Sequence, residues 1–139
     1  MRERTFFMIK PDGLSRNLSA EIINRVKAAG LKITAEKETQ MDISQAEKLY
    51  TVHQSKSFYP GLVKFITSGP VILMIVEGEE AVLKLRKLMG ATDPREALPG
   101  TIRGELREAE VVNEDGIIKN IVHGSDSKES AEYEIPIFF

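Results

Sequence analysis

Apolar positions recur along the chain at two different periods, and the changes of period divide it into elements. Thr5 to Lys10, TFFMIK, is a short apolar run stopped by Pro-Asp-Gly, as befits a buried strand that ends in a turn with Lys10 at its end. Leu18, Ile22, Val26 and Ala29 then repeat at four- and three-residue spacing, which predicts an amphipathic helix started by Ser19 and stopped by Gly30. From Leu31 through Ile33, Ala35, Lys37 and Thr39 to Met41 the period falls to two, the mark of a half-exposed strand. Ser44-Gln45-Ala46-Glu47 has the form of a capping box, and Ala46, Leu49, Tyr50 and His53 share one face of the helix it opens.

The segment FYPGLVKFITSG predicts a turn into a short helix ending at Gly69, and VILMIV, from Val71 to Val76, an all-apolar central strand. Two such uninterrupted strands require a sheet covered on both faces. Val82, Leu85, Arg86 and Met89 mark one side of the next helix, closed by Gly90. GATDPREALPGTIRG follows as a loop rich in turn formers, and a loop of that length in a compact domain usually has a function. Beyond it ELREAEVV, an NEDG turn and IIKNIVHG predict a hairpin or a strand with an excursion, and SDSKESAEYE a short helix capped by Asp126 with Glu129, before the apolar end IPIFF. No repeat or low-complexity linker interrupts the pattern. It predicts one α+β domain over residues 1–139, with helices covering a small sheet whose strand order periodicity leaves open.

Composition narrows the chemistry. A net charge of −2 gives no global attraction to nucleic acid or an anionic membrane, so any anion site must be a local cluster of cations. The chain has no cysteine, hence no disulfide, thiolate zinc site or cysteine nucleophile. It also lacks an apolar stretch of membrane-spanning length and a secretory leader pattern, so a cytosolic location is the expectation. Phosphate-loop, dinucleotide-turn and zinc-helix motifs are missing. With two histidines a dedicated metal cage is not expected, although a nucleotide could bring its own magnesium.

Three cations stand at informative places: Lys10 at a strand end, Arg86 on the inward stripe of its helix, and Arg103 at the close of the long loop. Converging, they would form a phosphate clamp; taken singly, each reads as solvated or ion-paired. Phe58 could offer a face to a base or simply anchor its loop. His53 reads as a surface or packing residue, and Thr92 as an ordinary turn former. The stretch NIVHGSDS, Asn120 to Ser127, is the most informative. His123 beside a helix start can be an ordinary neighbour of the cap. It can equally be a phosphate acceptor, provided its other nitrogen is held by an acceptor such as Glu134 or a serine.

Taken together, ERTFFMIKPDG, SFYPGLVKFITSGPV, GATDP, PGTIRG and NIVHGSDSKESAEYEI resemble, in order and nearly in spacing, the nucleoside diphosphate kinase family. The likeness covers almost the whole chain. It implies a ferredoxin-like fold, a four-stranded antiparallel sheet covered by helices, and transfer of the terminal phosphate of a nucleoside triphosphate to a nucleoside diphosphate. It further implies a ping-pong cycle through a phosphohistidine on His123. By the same resemblance Lys10, Tyr50, Arg86, Thr92 and Arg103 hold the phosphates, with Lys10 near the sugar hydroxyl. Phe58 stacks on the base, Leu62 lies beneath it, and Asn120 contacts the ribose hydroxyl. Ser125 and Glu134 support the histidine, and magnesium (Mg2+) rides with the nucleotide. Homo-oligomers, tetramers or hexamers, are also implied, with no membrane or dedicated nucleic-acid partner.

Two features depart from the family pattern: the Gly104–Asn120 connection is several residues longer than usual, and Ser57 and Tyr59 flank Phe58 in place of proline and phenylalanine. Two rivals remain to be weighed. The constellation Lys10, Arg86, Arg103, Asn120 and His123 argues against a silent nucleotide-binding or regulatory module. The acidic balance and the lack of interleaved sheet aromatics argue against an RNA-binding domain.

Overall fold

The computed structural model describes residues 2–139. Strands β1 (Arg2–Ile9), β2 (Lys32–Gln40), β3 (Pro70–Glu79) and β4 (Val122–Gly124) form an antiparallel sheet in the order β2-β3-β1-β4. Helices α1 (Pro11–Ser15), α2 (Ser19–Ala28), α3 (Ile43–Leu49), α4 (Tyr59–Ile66), α5 (Ala81–Met89), α6 (Ile102–Leu106) and α7 (Lys128–Phe138) connect and cover them. This is the ferredoxin-like α+β arrangement.

The two apolar strands occupy the centre because both their faces are buried. Phe7 and Ile9 of β1 join Ile72, Met74 and Val76 of β3 in one core, under Ile22 and Val26 of α2 and Leu85 and Met89 of α5. Phe6 and Met8 join Val71, Leu73 and Ile75 in the other, under Ala46 and Leu49 of α3, Ile66 of α4 and Ile135 and Phe138 of α7. A period of two therefore fills both layers from each strand. β2 keeps one exposed face, and β4, only three residues long, lies at the opposite edge with His123 paired to Met8.

Several local expectations are corrected. Ser19 does not cap α2: Asn17 takes a left-handed φ of 59°, which closes the turn early, and Leu18 is the cap residue. The capping box of α3 is Asp42 with Gln45, not Ser44 with Glu47, because Asp42 is extended and accepts the Gln45 N–H at 2.7 Å while Gln45 Oε1 accepts from the Asp42 N–H. Ser127, not Asp126, caps α7, accepting from Ser130 N–H at 3.0 Å, and the helix continues through Pro136 to Phe138, so IPIFF is not a separate end. Arg86 is exposed on α5, whose inward face is Ala81, Leu85 and Met89.

Residues 102–106 are helical, not loop or strand: Thr101 is extended and its hydroxyl caps α6 by accepting from Gly104 N–H at 3.1 Å. The hairpin after it is reduced to a bridge between Val112 and Ile118 around a turn in which Asn113 Oδ1 accepts from Asp115 N–H and Ile117 N–H. Among the described residues no helix is long and apolar enough to cross a membrane.

Candidate functional site

The end of β1, the helix pair α3–α4, the C-terminal end of α5, α6 and β4 surround a cavity of about 820 Å3. Lys10, Arg86, Thr92, Arg103, Asn120, His123 and Glu134 line it, together with Tyr50, Phe58 and Leu62. Ser125 stands outside the lining, behind Glu134. The cavity therefore gathers residues more than a hundred positions apart in sequence, from helices α4, α5, α6 and α7, strand β4 and the loops between elements.

Lys10 follows the last residue of β1, and burial at 6% exposure, with Arg103 nearby, pushes its ammonium down to about 8; Asp12 opposes the shift. Its Nζ donates to Asn120 Oδ1 at 2.8 Å, and Asn120 Nδ2 donates to the Thr92 carbonyl at 3.1 Å. The amide is thus fixed at both ends, which joins the long loop to the end of β1 and to the segment leading into β4. Arg103 donates through Nε to the Asn120 carbonyl, through Nη1 to the Gly90 carbonyl and through Nη2 to the Val122 carbonyl, at 3.1, 3.1 and 2.8 Å. Burial depresses its guanidinium to about 10, still charged at neutral pH. Gly90 makes this approach possible: with φ at +86°, a Cβ there would meet Thr101 Oγ1 at 2.6 Å. Arg86 is held more loosely, donating to the Asp126 carbonyl at 3.2 Å. The three cations do converge, two buried and one at the rim.

His123 sits at the centre of β4 with its ring 5.7 Å from that of Phe6. Its Nε2 lies 2.9 Å from Glu134 Oε1, and the same oxygen accepts from Ser125 Oγ at 2.7 Å. A carboxylate there assigns the proton to Nε2. Among the described residues Nδ1 has no hydrogen-bond partner, so its lone pair is available in a half-buried ring. Glu134 is able to serve because α7, started by Ser127, places it one side chain behind β4.

The apolar part is built differently. Phe58, at the start of α4, is 42% exposed with its ring 5.4 Å from that of His53, which in turn lies 6.3 Å from the Tyr50 ring. Burial pushes the Tyr50 hydroxyl up. Gly116, Ile117 and Ile118, from the connection between α6 and β4, also line the cavity. They rest on α4, where a Cβ at Gly61 would meet Ile117 Cδ1 at 2.9 Å and Lys64 pairs with Asp115 at 3.0 Å. His53 and these three residues were not recognisable as cavity wall from their spacing. The acidic turn gave no apolar period, and His53 acquires its place only through the irregular turn Thr51–His53.

Among the described residues no group of three His, Cys, Asp or Glu side chains could hold a metal ion. Glu134 is committed to His123 and Ser125, which leaves Asp126 as the lining carboxylate able to face a cation. The remaining donors are lysine, arginine and amide, a set suited to phosphate oxygens. A divalent ion that arrives already bound to phosphates fits this lining.

Residues 3–139 match the model of the family described as nucleoside diphosphate kinase. The chain is 51% identical over 139 residues to the nucleoside diphosphate kinase of Sulfurisphaera tokodaii, covering 99% of this chain and 88% of that one. It is 50% identical over 137 residues to the enzyme of Coxiella burnetii, covering 99% and 90%. Its structure is similar to a halophilic nucleoside diphosphate kinase from Halobacterium salinarum in complex with CDP, with a TM-score of 0.88, 45% identity and coverage of 100% and 88%. It also resembles the Borrelia burgdorferi enzyme in a transition-state mimic with bound vanadate and ADP, with a TM-score of 0.91, 38% identity and coverage of 99% and 87%. On sequence and structure together, the chain belongs to the nucleoside diphosphate kinase family.

Proposed function

We propose that the cavity binds a nucleoside triphosphate with its phosphates toward Lys10, Arg86 and Arg103 and its base toward Phe58, and that His123 takes the terminal phosphate. The observation that carries this reading is the pairing of Nε2 with Glu134, which leaves Nδ1 as a nucleophile beside the buried cations. In the first half-reaction the Nδ1 lone pair forms a bond to the terminal phosphorus while the bond from that phosphorus to the bridging oxygen breaks. The nucleoside diphosphate leaves with the electron pair. In the second, a terminal oxygen of another nucleoside diphosphate attacks the phosphohistidine phosphorus and the P–N bond breaks, restoring neutral His123.

The protein's part in such a transfer is alignment and charge. Lys10, Arg86 and Arg103 neutralise the equatorial oxygens, and the two buried cations, Lys10 and Arg103, are held in place before substrate arrives. Glu134, steadied by Ser125, stabilises the imidazole as it becomes cationic. Asn120 and Lys10 together meet the ribose hydroxyl, Thr92 and Tyr50 the phosphates, and Leu62 the underside of the base. Stacking on Phe58 accepts any base face, so nucleotide choice is broad. Magnesium carried in on the substrate phosphates would supply further charge neutralisation, and Asp126 is the lining carboxylate that could face it.

Incubation with terminally labelled ATP and magnesium is expected to give an acid-labile phosphoprotein that discharges onto added nucleoside diphosphate and is missing in His123→Ala. An acid-stable label, or full turnover by that variant, contradicts the proposal.

A further inference from the structure

Ile121 adopts φ +73°, a left-handed conformation that a β-branched residue rarely takes. It is fully buried, and it lies between Asn120 and the strand that carries His123. The bend is tight, with Val122 N–H donating back to the Asn120 carbonyl at 2.7 Å. It turns the Asn120 side chain toward Lys10 and sends the next residues into β4.

Two contacts from the turn after β1 hold this residue. The Lys10 N–H donates to the Ile121 carbonyl at 2.8 Å. The Ile121 N–H donates to Asp12 Oδ2 at 2.9 Å, across 109 positions of sequence. Asp12 is only 7% exposed, and its other oxygen, Oδ1, is buried without a hydrogen-bond partner. A carboxyl spending one oxygen on a distant amide, with the other unmatched, is an expensive way to make a turn. Gly13 closes the same contact, since a Cβ there would meet Ile121 Cγ2 at 3.0 Å and the Ile121 carbonyl oxygen at 3.1 Å.

We infer that Asp12 is a positioning residue for phosphate transfer: by accepting the Ile121 N–H it maintains the left-handed bend that orients Asn120 and sets His123 at its place on β4. This rests on the reading of His123 as phosphate acceptor. Asp12 itself does not line the cavity.

The test is the single-turnover rate of His123 phosphorylation by labelled ATP, measured with a thermal melt for each variant. Asp12→Ala is expected to slow phosphorylation tenfold or more at temperatures where the variant is fully folded. Asp12→Asn, which keeps an acceptor oxygen at the same reach, restores most of the rate. In an Ile121→Gly background, where positive φ carries no side-chain penalty, removing the Asp12 side chain costs severalfold less than in the parent. An unchanged rate in folded Asp12→Ala, an Asp12→Asn as slow as the alanine variant, or an equal loss in the glycine background overturns the inference. Should Asp12→Ala fail to fold, the asparagine variant decides alone, a slow rate contradicting the role. Failure to label the parent protein would instead refute the reading of His123.

Discussion

Replacing Arg103 by alanine removes a staple between three backbone carbonyls and, on the proposed function, a charge at the transferring phosphate. Three backbone carbonyls, of Gly90, Asn120 and Val122, accept from the guanidinium, and the residue is 7% exposed. A hydrogen bond to a charged group contributes about 1.5–3 kcal/mol, and the bonds here share one side chain, so a loss of at least about 3 kcal/mol of stability is expected. For a chain of this size that lowers Tm by about 10 °C. Loss of a preorganised charge at the transferring phosphate removes about 2.7–4 kcal/mol of transition-state stabilisation, a fall in kcat of about two to three orders of magnitude. Arg103→Lys keeps a positive charge but not the planar fork. It should therefore melt nearly as low as the alanine variant while retaining more activity. Differential scanning fluorimetry with a coupled phosphate-transfer assay reads both quantities. An Arg103→Ala protein that melts within about 2 °C of the parent refutes the stapling role, and one with near-normal kcat refutes the phosphate role.

Three further outcomes follow from the same geometry. The Lys10 ammonium is lowered from 10.5 to about 8, so the unfolded chain binds more protons than the folded one between those values. The unfavourable contribution of burying this charge, about 3 kcal/mol, is then fully present below pH 8 and is relieved as pH rises to 10.5. Since phosphate needs the charged form, kcat/KM should fall above about pH 8, and nucleotide binding there should take up a proton; a flat profile to pH 9.5 or no proton uptake by calorimetry contradicts this. Phe58→Ala should weaken purine and pyrimidine nucleotides alike by about 1–3 kcal/mol, and a loss confined to one base contradicts stacking as the contact. Glu134→Gln should lower kcat about 10- to 100-fold with little change in KM, because a charged hydrogen bond to the imidazole is replaced by a neutral one, and an unchanged kcat removes Glu134 from the mechanism.

The fold was legible where burial imposes a period. TFFMIK and VILMIV carry apolar residues on both faces, and both strands do occupy the covered centre of the sheet. Local polar signals were less reliable, since Ser, Asp and Thr can cap at adjacent positions and the competition is settled by backbone conformation: Asp42 prevails over Ser44, and Ser127 over Asp126. Residues 102–104 read as the end of a turn-rich loop and 105–106 as the start of a strand, yet Thr101 starts a helix there and Arg103 ties it to three carbonyls. The candidate residues were legible through ordered motifs of a known family, not through spacing alone. What spacing hid was the network behind them: Asp12 looked like a turn former, and Gly116 to Ile118 looked like part of an acidic excursion.

In the proposed function Glu134 holds Nε2 of His123 and so leaves Nδ1 to accept the phosphate. Nitrogen-15 labelling of the histidines and phosphorus NMR of the phosphoenzyme, trapped with ATP and magnesium at alkaline pH, identify the nitrogen bonded to phosphorus. Coupling to Nδ1 of His123 is the predicted result; a phosphate on Nε2, on His53 or on an oxygen contradicts the account.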